Sequence, residues 1–214
     1  MEKYKIQELE KLVSHDLSKQ TISGKILLDR FCMIDESSRK SPSYTDPNFA
    51  GFYYHLGKYV KPASLLEVGF ELGLFSGSFL TSCKSVQRFC GYHESNPSFF
   101  SFRIGSRNIK KVFKGQKHFV DADKYDENFE KLLKQGWDMI IYPLENKYDR
   151  QLDLFEFFWP YLNENGIIVC DNIRRSSSTK EAFEAFVFSK NREHVNFRSE
   201  EHTSELQSLR HLVC

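Results

Sequence analysis

The stretch Ser64–Gly77, SLLEVGFELGLFSG, decides the fold of this chain. An apolar run ends in an acid, Glu67, and three glycines follow it, Gly69, Gly73 and Gly77. This order predicts a strand, a glycine-rich turn and a helix. Glycine lets a ligand approach the backbone where a Cβ would clash, and the first turn of a helix offers free N–H donors. The stretch therefore predicts a site for a nucleotide-like ligand at one edge of a sheet.

Strand and helix patterns alternate along the chain after this stretch. Apolar runs predict further strands at 88–92, 118–120, 137–142 and 166–170. Helical patterns follow the strands in turn, at 74–82, 97–108, 126–135, 149–162 and 178–189. The alternation predicts an α/β fold: a Rossmann-like, doubly wound, mostly parallel sheet with helices on both faces. The apolar run GIIVC at 166–170 fits a sheet that is buried on both sides.

The chain divides into three parts on its sequence. Residues 1–62 carry helical patterns, including a good helix start at Asp46-Pro47, and we interpret them as a helical N-terminal extension or cap. Residues 63–197 form the predicted α/β domain. Residues 198–214, RSEEHTSELQSLRHLVC, resemble the conceptual translation of a sequencing adapter.

We interpret residues 198–214 as a non-native tail, and we expect the natural coding sequence to break off near Phe197. Such a segment is excluded from fold reasoning, as any fusion scar would be. The final strands of the fold are then expected to be truncated, with the tail extended or poorly packed. A well-packed final strand inside the sheet would count against this interpretation.

Composition limits the classes of protein to consider. The chain has 214 residues, with 40% hydrophobic and 28% charged residues, which fits one ordinary globular domain. A net charge of +1 argues against a dedicated nucleic-acid binder. The basic residues at 103, 107, 110 and 111 are interpreted first as a solvated helix face, with a local binding patch as the alternative.

The apolar runs and the cysteines of the sequence predict the cellular location of the protein. No apolar run is long enough to span a bilayer, and the first residues, MEKYKIQELEKL, lack an apolar signal region. The five cysteines form no CxxC pair, which favours reduced thiols over disulfides or a zinc site. We expect a cytoplasmic protein with no membrane partner.

Polar residues follow the predicted strands, where ligands bind in open α/β sheets. They are Glu67, Gly69 and Gly73 after the first, His93, Glu94 and Asn96 after the second, Asp121 and Asp123 after the third, Glu145 after the fourth, and Asp171 and Asn172 after the fifth.

The dinucleotide fingerprint GxGxxG does not occur, and the spacing is G-x-x-x-G with an acid before it. This pattern suits a pyrophosphate less well than a cationic or amine-bearing ligand, which favours S-adenosylmethionine over a nicotinamide cofactor.

The run LLEVGFELGLFSG resembles the first motif of class I S-adenosylmethionine-dependent methyltransferases, and is most similar to O-methyltransferases with E-V-G-x-x-x-G. RFCGYHESNP is similar to the second strand of that family. The segment from GWDMIIY to VCDNI is similar to its fourth strand, following helix and fifth strand, so the resemblance covers about Ser64 to Ile173. It implies methyl transfer from S-adenosylmethionine to a small-molecule or sugar-like acceptor.

The resemblance also implies site residues. Those at the methionine and ribose end of the cofactor would be Glu67, Gly69, Phe70, Gly73, His93 and Glu94. Asp121 and Ala122 would lie near the adenine amino group. The alternatives are a tight turn without a ligand for the glycines, and a helix cap or solvated loop for Asp121.

Two positions depart from the family pattern. The family carries an acid that grips the ribose hydroxyls where this chain has His93, so either Glu94 substitutes with a shifted geometry or cofactor affinity is lower. The metal-dependent subgroup has an Asp where this chain has Pro143, and Glu145 is two residues farther on. We therefore predict no bound catalytic metal. Asp171 and Asn172 are still candidate catalytic residues in the acceptor pocket, with loop-capping hydrogen bonds as the alternative.

Two other functions stay open. One is a non-catalytic member of the same fold that binds a cofactor or a partner, because the acid of the second strand is lost. The other is a different nucleotide-using α/β enzyme, such as a nicotinamide oxidoreductase, against which the missing GxGxxG counts.

Overall fold

The computed structural model describes residues 6–19, 24–32, 47–94, 99–142, 148–170, 177–189, 194–197 and 210–213. The strands are β1 (Ser64–Val68), β2 (Arg88–Glu94), β3 (Gln116–Ala122), β4 (Trp137–Tyr142), β5 (Leu162–Cys170), β6 (His194–Phe197) and β7 (Arg210–Val213). The helices are α1 (Ile6–Ser18), α2 (Gly24–Phe31), α3 (Pro47–Tyr59), α4 (Leu74–Ser82), α5 (Phe99–Val112), α6 (Glu127–Leu133), α7 (Tyr148–Phe158) and α8 (Ser177–Ser189). A 3₁₀ turn, Trp159–Tyr161, links α7 to β5.

The strands form one sheet in the order β3-β2-β1-β4-β5-β7-β6. The first five are parallel, and β7 is antiparallel to both of its neighbours. The sequence prediction of a Rossmann-like, mostly parallel sheet is confirmed. The strand order turns back between β1 and β4, so the crevice beyond their carboxyl ends is the place where such a sheet binds ligands.

Alternating strand residues build a core on each face of the sheet. Leu65 of β1 packs into a cluster that includes residues of α1, α3, α4 and α5. Leu66 packs into a second cluster that includes residues of α6, α7 and α8. Because successive side chains of a strand point to opposite faces, this division shows helices on both sides of the sheet. The N-terminal helices α1 and α3 share the main core with the strands through Val13 and Phe52.

Local sequence signals set several element ends. Asp126 caps α6 by accepting hydrogen bonds from the amides of Asn128 (3.0 Å) and Phe129 (2.9 Å). Gly136 follows that helix with φ 74°, a left-handed conformation that glycine adopts without strain. These two residues bound the helix predicted at 126–135. They fix the short connection that leads into β4.

The strand β7 lies within residues 198–214, for which no packed strand was expected. Its backbone pairs with β5 and with β6. In the strand order β7 lies between β5 and β6, inside the sheet, and this position counts against an extended or poorly packed tail. The pairing itself is made by backbone groups, which carry no sequence information. Backbone pairing therefore does not distinguish a natural strand from a foreign one, and the interpretation of residues 198–214 as a non-native tail stays a prediction.

No helix within the described ranges is long and apolar enough to cross a membrane. Four cysteines in those ranges are free thiols: Cys32, Cys83, Cys90 and Cys170. Burial raises the pKa of Cys90 to about 12, so its thiol is protonated at neutral pH.

Candidate functional site

The turn after β1 requires glycine at two positions. Gly69 has φ 71° and Gly73 has φ 64°, both in the left-handed region that side chains disfavour. A Cβ on Gly73 would also lie 2.8 Å from Cε2 of Phe70 and 3.2 Å from Cγ1 of Ile109. Gly69 is half-buried and Gly73 is buried, and core side chains leave no room for a larger residue at position 73. Gly73 is also the residue immediately before α4.

Glu67 lies beneath the turn and ties β1 to α4. Its side chain is only 2% exposed. Oε2 of Glu67 accepts hydrogen bonds from the backbone N–H (3.2 Å) and from the hydroxyl of Ser76. Ser76 is the third residue of α4, so the carboxylate satisfies an amide that the first helical turn leaves without an intrahelical partner. Glu67 thereby fixes the direction in which α4 leaves the turn.

Burial raises the pKa of Glu67 from its ordinary 4.5 to about 7. The two hydrogen bonds from Ser76 oppose this shift, and the nearby charge of Glu71 adds to it. Near neutral pH the carboxyl group therefore lies between its protonated and ionised forms. A cationic group bound above the turn would favour the ionised form, because an opposite charge stabilises it.

The ring of Phe70 belongs to the core below the turn. It is fully buried and packs against the rings of Phe89, Phe102 and Phe119, with centroids 5.6–5.8 Å away. The N–H of Phe70 donates to the carbonyl oxygen of Tyr92 (2.8 Å), which attaches the turn to β2. Any contact of Phe70 with a ligand would therefore be made by its backbone.

The ends of β2 and β3 lie beside the turn. His93 pairs in register with Asp121, and their side chains project from the same face of the sheet. Asp121 is exposed and Ala122 is half-buried. Both ring nitrogens of His93 are buried, and neither has a hydrogen-bond partner among the described residues. The ring of Phe102 lies 6.3 Å from the His93 ring and forms one side of its surroundings.

Glu94 points away from His93, since the two are successive residues of one strand. Its Oε2 accepts a hydrogen bond from Nη2 of Arg150 on α7, at 2.9 Å. The sequence raised the possibility that Glu94 takes the role of the acid expected at position 93. To do so, Glu94 would have to break this ion pair. At this sheet edge His93 therefore occupies the position at which the resemblance expects an acid.

Several predicted positions lie outside the described residues: Asn96, Pro143, Glu145, Asp171 and Asn172. The candidate catalytic pair is among them, and so are the positions that bear on a metal. Within the described part of the chain, no group of three His, Cys, Asp or Glu side chains could hold a metal ion.

Sequence reasoning missed Ser76 and Arg150. Ser76 could have been found as a small hydroxyl at the third position of a helix that follows a buried acid, since that amide commonly takes a capping acceptor. Arg150 gave no such signal. Its partner Glu94 lies 56 residues earlier in the chain, so only the tertiary fold brings the two together.

No protein-family model and no curated protein matches the sequence. Solved structures do match the fold. An O-methyltransferase from Bacillus cereus in complex with SAH superposes with a TM-score of 0.60 at 13% identity, over 96% of this chain and 99% of that one. The SAH-bound methyltransferase PaMTH1 from Podospora anserina gives 0.61 at 15% identity, over 96% and 95%.

A third match is the O-methyltransferase TomG from Streptomyces achromogenes in complex with SAM, with a TM-score of 0.57 at 12% identity, over 96% and 98% of the two chains. This chain has the Rossmann-like methyltransferase fold. In that methyltransferase fold the candidate site, formed by the turn after β1 and the ends of β2 and β3, lies at the carboxyl edge of the sheet, where α/β folds bind their ligands.

Proposed function

We propose that the protein transfers a methyl group from S-adenosylmethionine to a small-molecule acceptor. The observation that carries this proposal is the turn Gly69–Gly73 at the carboxyl end of β1, which has two glycines at positive φ and directly follows a strand that carries a buried acid, Glu67. The matching structures with bound SAH or SAM support the same cofactor for this chain.

The residues present fit such a ligand. Gly69 and Gly73 would let its methionine part lie against the turn, where a side chain would clash. Glu67 would act from beneath, by holding α4 through Ser76 and by placing negative charge near a cation. Glu67 in this view is a positioning residue, because the turn separates it from the ligand.

His93 and Asp121 would bind the nucleoside part. The two ring nitrogens of His93 have no partner among the described residues, and a buried polar atom without a partner is costly. A ribose hydroxyl would supply that partner. Neutral imidazole offers one donor and one acceptor on opposite sides of its ring, whereas a carboxylate can accept from both hydroxyls at once. We therefore expect weaker binding than an acid at this position would give.

When bound, the cofactor supplies a methyl group already activated on a sulfonium. The protein then has to align the acceptor with that methyl group and exclude water. Asp171 and Asn172, which follow β5, are the proposed residues of the acceptor pocket, and either could orient an acceptor hydroxyl through its side-chain oxygen.

Calorimetric titration of the full chain with S-adenosylhomocysteine tests this proposal. We expect one site per chain. Absence of detectable heat at millimolar ligand would contradict the proposal. Titration with NADH is the matched control, and tighter binding of NADH would favour the oxidoreductase alternative.

A second candidate is a non-catalytic member of the fold that binds the cofactor without transferring its methyl group. The ion pair between Glu94 and Arg150 favours it, since the acid that follows His93 in β2 is already engaged. Release of S-adenosylhomocysteine across a panel of hydroxyl acceptors separates the two candidates. Binding without any release would favour the non-catalytic one.

A further inference from the structure

One segment of the molecule has an unusual charge. Residues 95–120 contain six Lys and Arg and no Asp or Glu, which leaves 24 basic against 29 acidic residues in the rest of the chain. The six are Arg103, Arg107, Lys110, Lys111, Lys114 and Lys117. The near-neutral net charge of the chain therefore conceals a strong separation of charge.

The helix α5 arranges most of these residues on one side. Arg103, Arg107, Lys110 and Lys111 are all exposed. Arg107 lies four residues after Arg103, and Lys110 and Lys111 lie three and four residues after Arg107, which places the four along one face of a helix. The opposite side of α5 packs into the protein through Ile104 and Ile109. Lys114 and Lys117 continue the row toward β3, and we call these six residues the basic face of α5.

Three members of this face are not neutralised by any carboxylate in the part of the chain that the structure describes. Among the described residues, none forms an ion pair with Arg107, Lys110 or Lys114. Two lysines at other helices are paired: Lys180 of α8 with Glu184 (3.6 Å), and Lys134, which follows α6, with Glu130 (2.7 Å). Like charges three or four residues apart destabilise a helix. The protein therefore maintains an unfavourable local arrangement on α5.

Two aromatic rings hold lysines of this face without removing their charge. Nζ of Lys110 lies 5.6 Å from the ring centroid of Phe119, and Nζ of Lys117 lies 5.6 Å from that of Phe113. A ring face attracts an ammonium group but leaves its positive charge in place. The basic face is therefore partly ordered and still positive.

The exposed side chains indicate which kind of partner this face would bind. Among residues 101–122, the part of α5 and β3 whose side chains the structure describes, no large apolar side chain is exposed. A single-stranded nucleic acid needs aromatic rings for base stacking, and an interfacial membrane helix needs apolar side chains that enter the lipid. What this face offers is a straight row of charges. Such a row complements the acidic face of another protein.

We propose that the basic face of α5 docks an acidic protein surface. Phe102, on the first turns of the same helix, lies beside His93, so the docked protein would lie next to the mouth of the candidate site. This inference does not depend on the proposed methyl transfer, because the charge arrangement stands whatever the site binds.

A labelled acidic helical peptide of about 20 residues, rich in Glu, is the probe for a fluorescence anisotropy titration at low ionic strength. We expect saturable binding that weakens as salt is raised, because salt screens exposed charges. The variant Arg107→Glu/Lys110→Glu/Lys114→Glu should bind at least tenfold more weakly.

The matched control is Lys11→Glu/Lys84→Glu/Lys131→Glu, which changes three other exposed lysines and gives the same net charge. It should bind within about threefold of the unchanged chain, since local charge dominates at a contact.

Equal losses in the two triple variants would overturn the proposal, and so would failure of the peptide to bind. Tighter binding of duplex DNA of about 20 base pairs, or of anionic vesicles, would also overturn it. Affinity for S-adenosylhomocysteine, which tests the candidate site separately, should be unchanged in both variants.

Discussion

The two edges of the parallel sheet use their polar residues differently. At the amino-terminal edge, Asp138 accepts hydrogen bonds from the backbone N–H groups of Ala63 (2.8 Å) and Ser64 (3.0 Å) and from Nδ2 of Asn163 (2.8 Å). At the carboxyl edge, His93 has two buried ring nitrogens without a partner among the described residues. The amino-terminal edge also has two buried nitrogens without a hydrogen-bond partner among the described residues, Nε of Arg88 and Nε1 of Trp137, but these two side chains stack on each other and offer donors only. The imidazole of His93 offers both a donor and an acceptor, which suits a ligand hydroxyl.

The backbone shows the same contrast. The carboxyl edge has a turn with two glycines at positive φ, at 69 and 73, and the buried acid Glu67 lies beneath it. The amino-terminal edge is held by Arg88, which donates to the carbonyl oxygen of Gly136 and stacks over the ring of Trp137 at 4.4 Å. We therefore expect substitutions at the amino-terminal edge to change stability and substitutions at the carboxyl edge to change ligand affinity.

The largest effect is expected for Asp138→Ala. It removes the common acceptor of three donors, and bonds to a charged group contribute about 1.5–3 kcal/mol each, so we expect a loss of about 4 kcal/mol after partial compensation by water. Urea denaturation measures it. The control Asp149→Ala alters an exposed carboxylate and should cost less than about 0.5 kcal/mol. Similar losses in the two variants would show that Asp138 is not a structural centre. If Asp138→Ala is too unstable to purify, Asp138→Asn should show a smaller loss in the same direction.

The next effect is a dependence of stability on pH. The pKa of Glu67 is about 7 in the folded protein and near 4.5 when exposed, so between these values the folded state keeps a proton that the unfolded state has released. Stability from this group is present below pH 4.5 and is lost as pH rises through 7, by about 3 kcal/mol. Urea titrations of the unchanged chain and of Glu67→Gln at several pH values measure the difference.

Comparison with Glu67→Gln is needed because His55 acts in the opposite direction. Burial lowers the pKa of His55, so its contribution to stability is lost as pH falls. That contribution is common to both proteins and cancels in their difference. A difference that does not change between pH 4.5 and 8 would contradict the account of Glu67.

A third effect concerns the glycine turn. Gly73→Ala forces a side chain into the left-handed region and against Phe70, and we expect a loss of stability of about 2 kcal/mol with at least a tenfold loss of affinity for S-adenosylhomocysteine. Gly51→Ala is the matched control, since a Cβ there meets nothing within 4 Å. In the helix α3 it should raise stability by about 0.5–1 kcal/mol and leave affinity unchanged. An unchanged affinity in Gly73→Ala would separate the turn from the ligand site.

The smallest effect is expected at His93. His93→Ala should weaken binding of S-adenosylhomocysteine about fivefold, which is the loss of affinity expected when one hydrogen bond is removed, with little change in stability. His93→Asp should bind more tightly than the unchanged chain, because a carboxylate can accept from both ribose hydroxyls. The control His118→Ala changes a histidine on β3 outside the site. If His93→Ala and His118→Ala bind alike, His93 is not a ligand residue.

Much of the fold could be predicted because local pattern decides it. The bounds of β4 were predicted as the structure has them, since it is an apolar run bounded by turn residues. The strand β3 extends two residues beyond the prediction at each end, to Gln116–Ala122. Three of the four added residues are polar, and pairing with β2 holds all four in the sheet. Pairing between strands is a tertiary effect that a single segment does not reveal.

The candidate site was predicted less completely. The position of the glycine turn follows from the sequence, because glycine is needed where φ is positive. Glu94 forms an ion pair with Arg150, which lies far from it in the chain. The side of the sheet to which Glu94 points is therefore fixed by the tertiary fold and not by local sequence. The ring of Phe70 fills the core instead of facing a ligand because residue 91 is glycine. A Cβ at position 91 would lie 2.7 Å from that ring.

Hydrogen exchange measured by mass spectrometry, with and without saturating S-adenosylhomocysteine, tests most directly which edge binds the ligand. Slower exchange is predicted in peptides that cover residues 67–77 and 91–94, at the carboxyl edge, and no change in those that cover residues 61–64 and 135–138, at the amino-terminal edge. Protection of the amino-terminal edge alone, or unchanged exchange at both edges under saturating ligand, would contradict the account.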